Sequence, residues 1–165
     1  MSHARSPMLL HALNRDNVSG FRAQVPLRDP SGSTRIVELV CSSERRREDG
    51  RERRRCRMSL ATPDVSAEGV GYDYFDAFCR LREQLNAADY WLVCYGANAN
   101  FAFSGMARDM SDGLTGYVYH ARGAAQIANV LATGPGVRPV TVAEQSDFRQ
   151  RAWLKDTLLR SPPAP

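Results

Sequence analysis

Residues Tyr72–His120, YDYFDAFCRLREQLNAADYWLVCYGANANFAFSGMARDMSDGLTGYVYH, decide the fold. Their first third predicts an amphipathic helix over Tyr72–Asp89. Tyr74, Phe78, Leu81 and Leu85 recur at i, i+4, i+7 and i+11, one apolar stripe. Arg80, Arg82 and Glu83 then fall toward solvent. Asp73 suits the N-cap, and Asp76 places negative charge in the first turn, where the helix dipole favours it. Trp91–Tyr95 has almost no polar break and reads as a strand covered on both faces. After the Gly96–Asn100 loop, Ser104 is placed to cap a short helical turn through Asp109, closed by Gly113. Leu114–His120 is the next strand, with Tyr117 and Tyr119 on one face and Leu114 and Val118 on the other.

Upstream, Phe21, Ala23, Val25 and Leu27 alternate with polar neighbours, a half-buried strand in which Pro26 suits an edge. Asp29-Pro-Ser-Gly32 supplies a turn before Thr34–Cys41, the pairing strand. Cys56, Met58 and Leu60 alternate in a third strand, so a meander is the simplest order. Thr62–Gly71 reads as a connector. Downstream, Ile127, Val130 and Leu131 predict a short helix over Ala124–Ala132, stopped by Thr133-Gly-Pro-Gly136. Thr141-Val-Ala-Glu144 is a capping box that opens a last helix to about Leu159, with Trp153 off its apolar stripe. The expectation is an α+β domain over residues 21–160. It has a mainly antiparallel sheet of about five strands packed against two or three helices. Residues 1–20 read as a poorly ordered lead-in and 161–165 as a disordered tail.

Composition narrows the function. The 165 residues carry 22 basic and 18 acidic side chains, and Lys155 is the single lysine. The excess charge is local: Glu44–Arg57 holds eight Arg against Glu44, Glu48, Asp49 and Glu52, and the remainder is neutral. That segment reads as a solvated Arg-rich loop. No stretch reaches the ~20 apolar residues of a membrane span, and no signal-peptide pattern opens the chain; the expected setting is the cytoplasm. Cys41, Cys56, Cys79 and Cys94 form no C-x-x-C, and no His stands at ligand spacing, so no metal is expected. They read as buried small hydrophobes, with a Cys41–Cys56 disulfide as the alternative. Neither phosphate-cradling glycine motif occurs, and no cofactor is implied.

Two blocks carry a resemblance. Cys94-Tyr-Gly-Ala-Asn-Ala-Asn100 leads into Phe103-Ser-Gly-Met-Ala-Arg-Asp-Met110, and Thr141-Val-Ala-Glu-Gln145 is followed by Phe148. Together they look like motifs of a small uncharacterised bacterial family similar to the immunity proteins of secreted antibacterial toxins. The resemblance spans Tyr72–Leu159 and implies no catalytic residues. It implies a protein that binds a cognate toxin and covers its active site. The residues expected to make that contact are Arg53, Arg54 and Arg55 in the Arg-rich segment, Phe101, Phe103, Arg108, Asp109 and Asp112 in the next loop, and Trp153. Two alternatives stand beside it. Eight Arg can neutralise phosphates, which makes a nucleic-acid-associated accessory protein, although four acids interleave and no aromatic is there to stack. Ser104, Arg108, Asp109 and His120 would be the machinery of a small enzyme, with Ser104 needing His120 within reach as base.

Overall fold

The computed structural model describes residues 18–120 and 125–160, with side chains in the last helix only as far as Arg151. The strands are β1 (Val18–Arg28), β2 (Thr34–Glu48), β3 (Arg51–Ala61) and β4 (Ser66–Gly71), followed by helix α1 (Tyr74–Ala87). Then come β5 (Trp91–Leu92), a single 3-10 turn at Tyr95–Ala97, β6 (Phe101–Ala102), α2 (Gly105–Met110), β7 (Thr115–Tyr119), β8 (Ala125–Asn129) and α3 (Val142–Arg160). The first sheet is five-stranded and antiparallel, ordered β4-β3-β2-β1-β5; the second has three strands, β6-β7-β8. The α+β expectation is what the chain adopts.

Alternation builds the core. Ala23, Val25 and Leu27 of β1, Val37, Leu39 and Cys41 of β2, and Cys56, Met58 and Leu60 of β3 are all buried on one face. The opposite face is held by exposed cross-strand ion pairs, Arg22–Glu38 at 2.6 Å and Arg57–Glu68 at 2.7 Å. Against the apolar face lies α1, with Tyr74, Phe75, Phe78, Leu81 and Leu85 buried. Asp73 caps it as expected, its carboxylate accepting from the backbone N–H of Asp76.

Six expectations need correction. The Arg-rich segment is not a loop: β2 and β3 run on through it as a two-stranded ribbon, paired as far as Glu48↔Arg51. Its turn is Asp49-Gly50, both at positive φ (51° and 75°), the conformation a two-residue hairpin requires. The connector Thr62–Gly71 contains β4, whose buried positions are Ala67 and Gly69. A Cβ on Gly69 would collide with the carbonyl of Ala77, so glycine there lets α1 lie directly on the strand. In Trp91–Tyr95, Leu92, Cys94 and Tyr95 are buried, but β5 lies at the edge of the five-stranded sheet beside β1 instead of deep within it. Only Trp91 and Leu92 pair, with Arg28 and Leu27. Tyr95 and Gly96 then donate to the carbonyls of Ala132 and Val130. Residues 125–129 form β8, paired along β7 from Thr115↔Asn129 to Tyr119↔Ala125, where a helix was expected. Ile127 is 69% exposed, so the helical spacing of Ile127, Val130 and Leu131 was coincidental. β1 begins at Val18, ahead of the expected Phe21; residues 1–17 and 161–165 lie outside the described residues.

The sixth correction is Arg82, expected in solvent and 1% exposed. Its guanidinium donates to Gln145 Oε1 (2.8 Å) and to the carbonyls of Gly96 (3.3 Å), Ala97 (3.4 Å) and Val140 (2.5 Å). Gln145, itself 0% exposed, donates through Nε2 to the carbonyls of Gly96 and Asn98. A buried charge is tolerated when hydrogen bonds replace its water, and these carbonyls do so without a carboxylate. The Tyr95–Asn98 turn and the start of α3, which hold the two motif blocks, are thus clamped to α1 by one side chain. Thr141 and Glu144 form the expected capping box just ahead of Gln145.

Candidate functional site

Where α1 starts, α2 ends and the ribbon leaves the sheet, three chain segments are locked together. Asp73 accepts from Asp76 N with one oxygen (2.7 Å) and from Arg108 Nε with the other (2.5 Å). The Arg108 guanidinium lies over the rings of Tyr72 (4.9 Å), Phe103 (5.7 Å) and Phe75 (5.8 Å). Burial works against its charge, but the Asp73 carboxylate outweighs that effect and holds the proton more tightly than usual. Phe103 meets Phe75 edge-on at 4.8 Å and Phe101 at 5.1 Å. These contacts hold α2 against α1.

Arg108 and Asp112, four positions apart, do not pair with each other. α2 ends at Met110, and Asp112 turns into the left-handed region at φ 54°. There its carbonyl accepts from Tyr74 N (2.9 Å), and its carboxylate pairs with Arg54. The Arg54–Asp112 pair ties the ribbon to the α2 segment. Two stretches expected separately, Arg53–Arg55 and Phe101–Asp112, therefore meet at this pair.

The ribbon has two faces. Alternation from the buried Cys41 and Met58 puts Arg45, Arg47, Glu52 and Arg54 on the core-side face. It puts Glu44, Arg46, Glu48, Arg51, Arg53 and Arg55 on the other. Ion pairs join Arg45 to Glu52 (3.6 Å) and Arg46 to Glu44 (3.0 Å). Arg47, Arg51, Arg53 and Arg55 make no ion pair among the described residues. An open groove of about 660 Å³ runs beside this edge, lined by Arg53–Arg55, Val70, Gly71, Tyr72 and Arg80 among others.

Next to it, α2 presents Met106 (74% exposed) and Met110 (82%), one turn apart, with Tyr72 at 61%. None of these three was singled out from the sequence. The signal was present: a Ser-capped turn with two Met at i, i+4 has an apolar face, and α2 buries none of its residues. Asp109 is exposed on the same helix.

The other expected contact residues divide. Phe101 is 0% exposed and belongs to the core, so it presents nothing to a partner. Phe103 is half-buried. The side chain of Trp153 lies outside the described residues. The enzyme constellation is not assembled: Ser104 Oγ accepts from Ala107 N as the cap of α2 (3.1 Å), His120 is exposed beyond the end of β7, and no hydrogen bond links them among the described residues. Among the described residues no group of three potential metal ligands converges, and no helix is long and apolar enough to cross a membrane.

All four cysteines are free. Cys41 stands opposite Met58 and Cys56 opposite Ser43, so the two thiols are offset neighbours on one face. Burial pushes Cys41 and Cys94 up to about 12 and Cys56 to about 11. Such thiols are protonated and poor nucleophiles at neutral pH.

No protein-family model matches the chain, and no curated protein matches it.

Proposed function

We propose that this is a non-enzymatic protein-binding protein: an immunity protein that neutralises a cognate antibacterial toxin in the cytoplasm by covering its active site. The observation that carries the reading is the junction where the Arg ribbon, with Tyr72 in the groove beside it, meets the α2 segment that exposes two methionines. It combines Arg side chains that make no ion pair among the described residues with exposed Met and Tyr, residue types that binding surfaces favour. The Arg54–Asp112 and Arg108–Asp73 pairs hold it in shape before binding, which lowers the ordering cost of association. The likeness of the Cys94–Met110 and Thr141–Phe148 blocks to immunity proteins supports the choice of partner. Gly96, Ala97, Asn98 and Gln145 of those blocks serve the scaffold, bonded to Arg82 or to one another, while Met106 and Met110 of the first block belong to the contact region.

The test is capture of partners from the native host on the immobilised protein, with nuclease present, followed by growth assays of cells expressing the captured protein. The expected result is one stoichiometric partner whose toxicity the wild-type chain relieves. Relief should fail with Arg53→Glu/Arg55→Glu. A captured partner that harms no cell would remove the toxin from the reading.

One observation favours a second reading. The Arg-rich segment is a two-stranded ribbon, a shape the DNA major groove admits. A nucleic-acid-associated protein would bind with a steep salt dependence that the same double variant reduces.

A further inference from the structure

The ribbon has a free edge whose chemistry specifies what can pair with it. β4 stops at Gly71, opposite Cys56, so β3 has no neighbour on that side from Arg51 to Arg55. In a two-residue hairpin the flanking pair, here Glu48 and Arg51, is hydrogen-bonded, and pairs alternate from there. Arg46–Arg53 and Glu44–Arg55 are then hydrogen-bonded too. Glu52 and Arg54 consequently aim their N–H and C=O groups away from β2, with the parity that lets Cys56, Met58 and Leu60 bond β4. The backbone groups of Glu52 and Arg54 make no other hydrogen bond among the described residues.

Resting on the protein-binding reading, we infer that this edge accepts an extended segment of the partner as an added β-strand, with acidic side chains at alternate positions. Residues of the incoming strand on the outer face meet Arg51, Arg53 and Arg55, none of which has an ion pair within the described chain. Residues on the other face meet Glu52 and Arg54, and Arg54 is already neutralised by Asp112. The fitting pattern is therefore acidic, uncharged, acidic, uncharged, acidic. Main-chain bonds supply affinity in this mode and alternate side chains supply selectivity.

Charge excludes the nearer occupants. Residues 1–17 carry Arg5 and Arg15 against Asp16, and residues 161–165 carry no charge and three prolines, which cannot donate to a ladder. A second copy of the edge would set Arg against Arg.

The experiment is fluorescence anisotropy with a labelled peptide, acetyl-Asp-Thr-Glu-Thr-Asp-Thr-Glu, and the same peptide N-methylated at alternate backbone nitrogens. The variants are Glu52→Pro and Glu52→Ala. Proline removes the outward N–H and leaves the β2 ladder intact, while alanine removes only the side chain; circular dichroism checks that both fold. The plain peptide should bind wild type, and Glu52→Ala sets the reference for loss of the side chain alone. N-methylation or Glu52→Pro should each weaken it on the order of tenfold, and Arg53→Glu/Arg55→Glu should abolish it. Equal binding by Glu52→Pro and Glu52→Ala would overturn strand addition, as would no binding to wild type at millimolar peptide. A mixed-sequence DNA duplex that displaces the peptide from both Glu52 variants equally would assign the edge to nucleic acid instead. Partner capture unchanged by Glu52→Pro would leave the toxin-binding reading standing and remove only the strand.

Discussion

Arg82 shows how much one side chain can organise. It is a cation with no acidic partner among the described residues, held by Gln145 and by the carbonyls of Gly96, Ala97 and Val140. Truncation takes the donor from the buried Gln145 Oε1 and from the Val140 carbonyl, while the Gly96 and Ala97 carbonyls keep Gln145 Nε2 and Val140 N; that is a far larger loss than an exposed Arg→Ala. Arg82→Ala should lower the unfolding free energy by about 3 kcal/mol in urea titration; a loss under about 1 kcal/mol would contradict the clamp. Lysine cannot reproduce the planar fork and should recover only part of the loss. The buried thiols make a second residue-scale prediction. Burial raises Cys94 from 9.0 to about 12, so the folded protein keeps a proton that the unfolded chain releases. Stability is then complete below pH 9 and falls as pH rises toward about 12, with Cys41 adding in the same direction. Thermal melts across that range should show the decline, shallower in Cys94→Ala; identical slopes would contradict it.

At the scale of elements, contact geometry decides what side-chain pattern leaves open. α1 packs on β4 because Gly69 has no side chain, so Gly69→Ala should cost more than any exposed Gly→Ala, about 3 kcal/mol or more. A normal chemical denaturation midpoint would show that the helix can move aside. The ribbon is held at one point, and Arg54→Ala should speed amide exchange at Arg45–Arg54 while the thermal midpoint hardly moves; unchanged exchange would mean that Asp112 anchors nothing. The same geometry explains what could be read in advance. Capped helices were legible, because Asp73, Ser104 and Thr141 each announce a helix start. So were β1 and the first parts of β2 and β3, where apolar alternation is clean. β4 was not, since a strand lying directly under a helix is built from Ala and Gly and has no apolar signal. The ribbon was not, because its register is inherited from Cys41↔Met58 and its residues are charged; Asp49-Gly50 was the one clue to a hairpin. Periodicity also misplaced Arg82, which lies beside Leu81 on the buried side, since a helix stripe cannot show that a long cation finds carbonyls behind it.

For the whole molecule, the five-stranded sheet, α1 and the second sheet form a scaffold that leaves its charge excess in one projecting ribbon. The candidate surface could be only half read from sequence. The Arg segment was visible by composition, but its junction with α2 depends on Arg54 meeting Asp112, residues 58 positions apart by their numbers, and no local pattern encodes that. Phe101 looked like surface and is core, while Met106 and Met110 looked unremarkable and are outside. Binding should therefore depend on the ribbon and α2 together, and not on His120. The most direct test is calorimetric titration of the captured partner into wild type and Arg53→Glu/Arg55→Glu, with thermal melts confirming equal stability. Affinity at least about tenfold weaker in the double variant is the expected result, since charge reversal at a charged contact costs more than 1.4 kcal/mol. Equal affinity in a stably folded double variant would contradict the assignment of this surface.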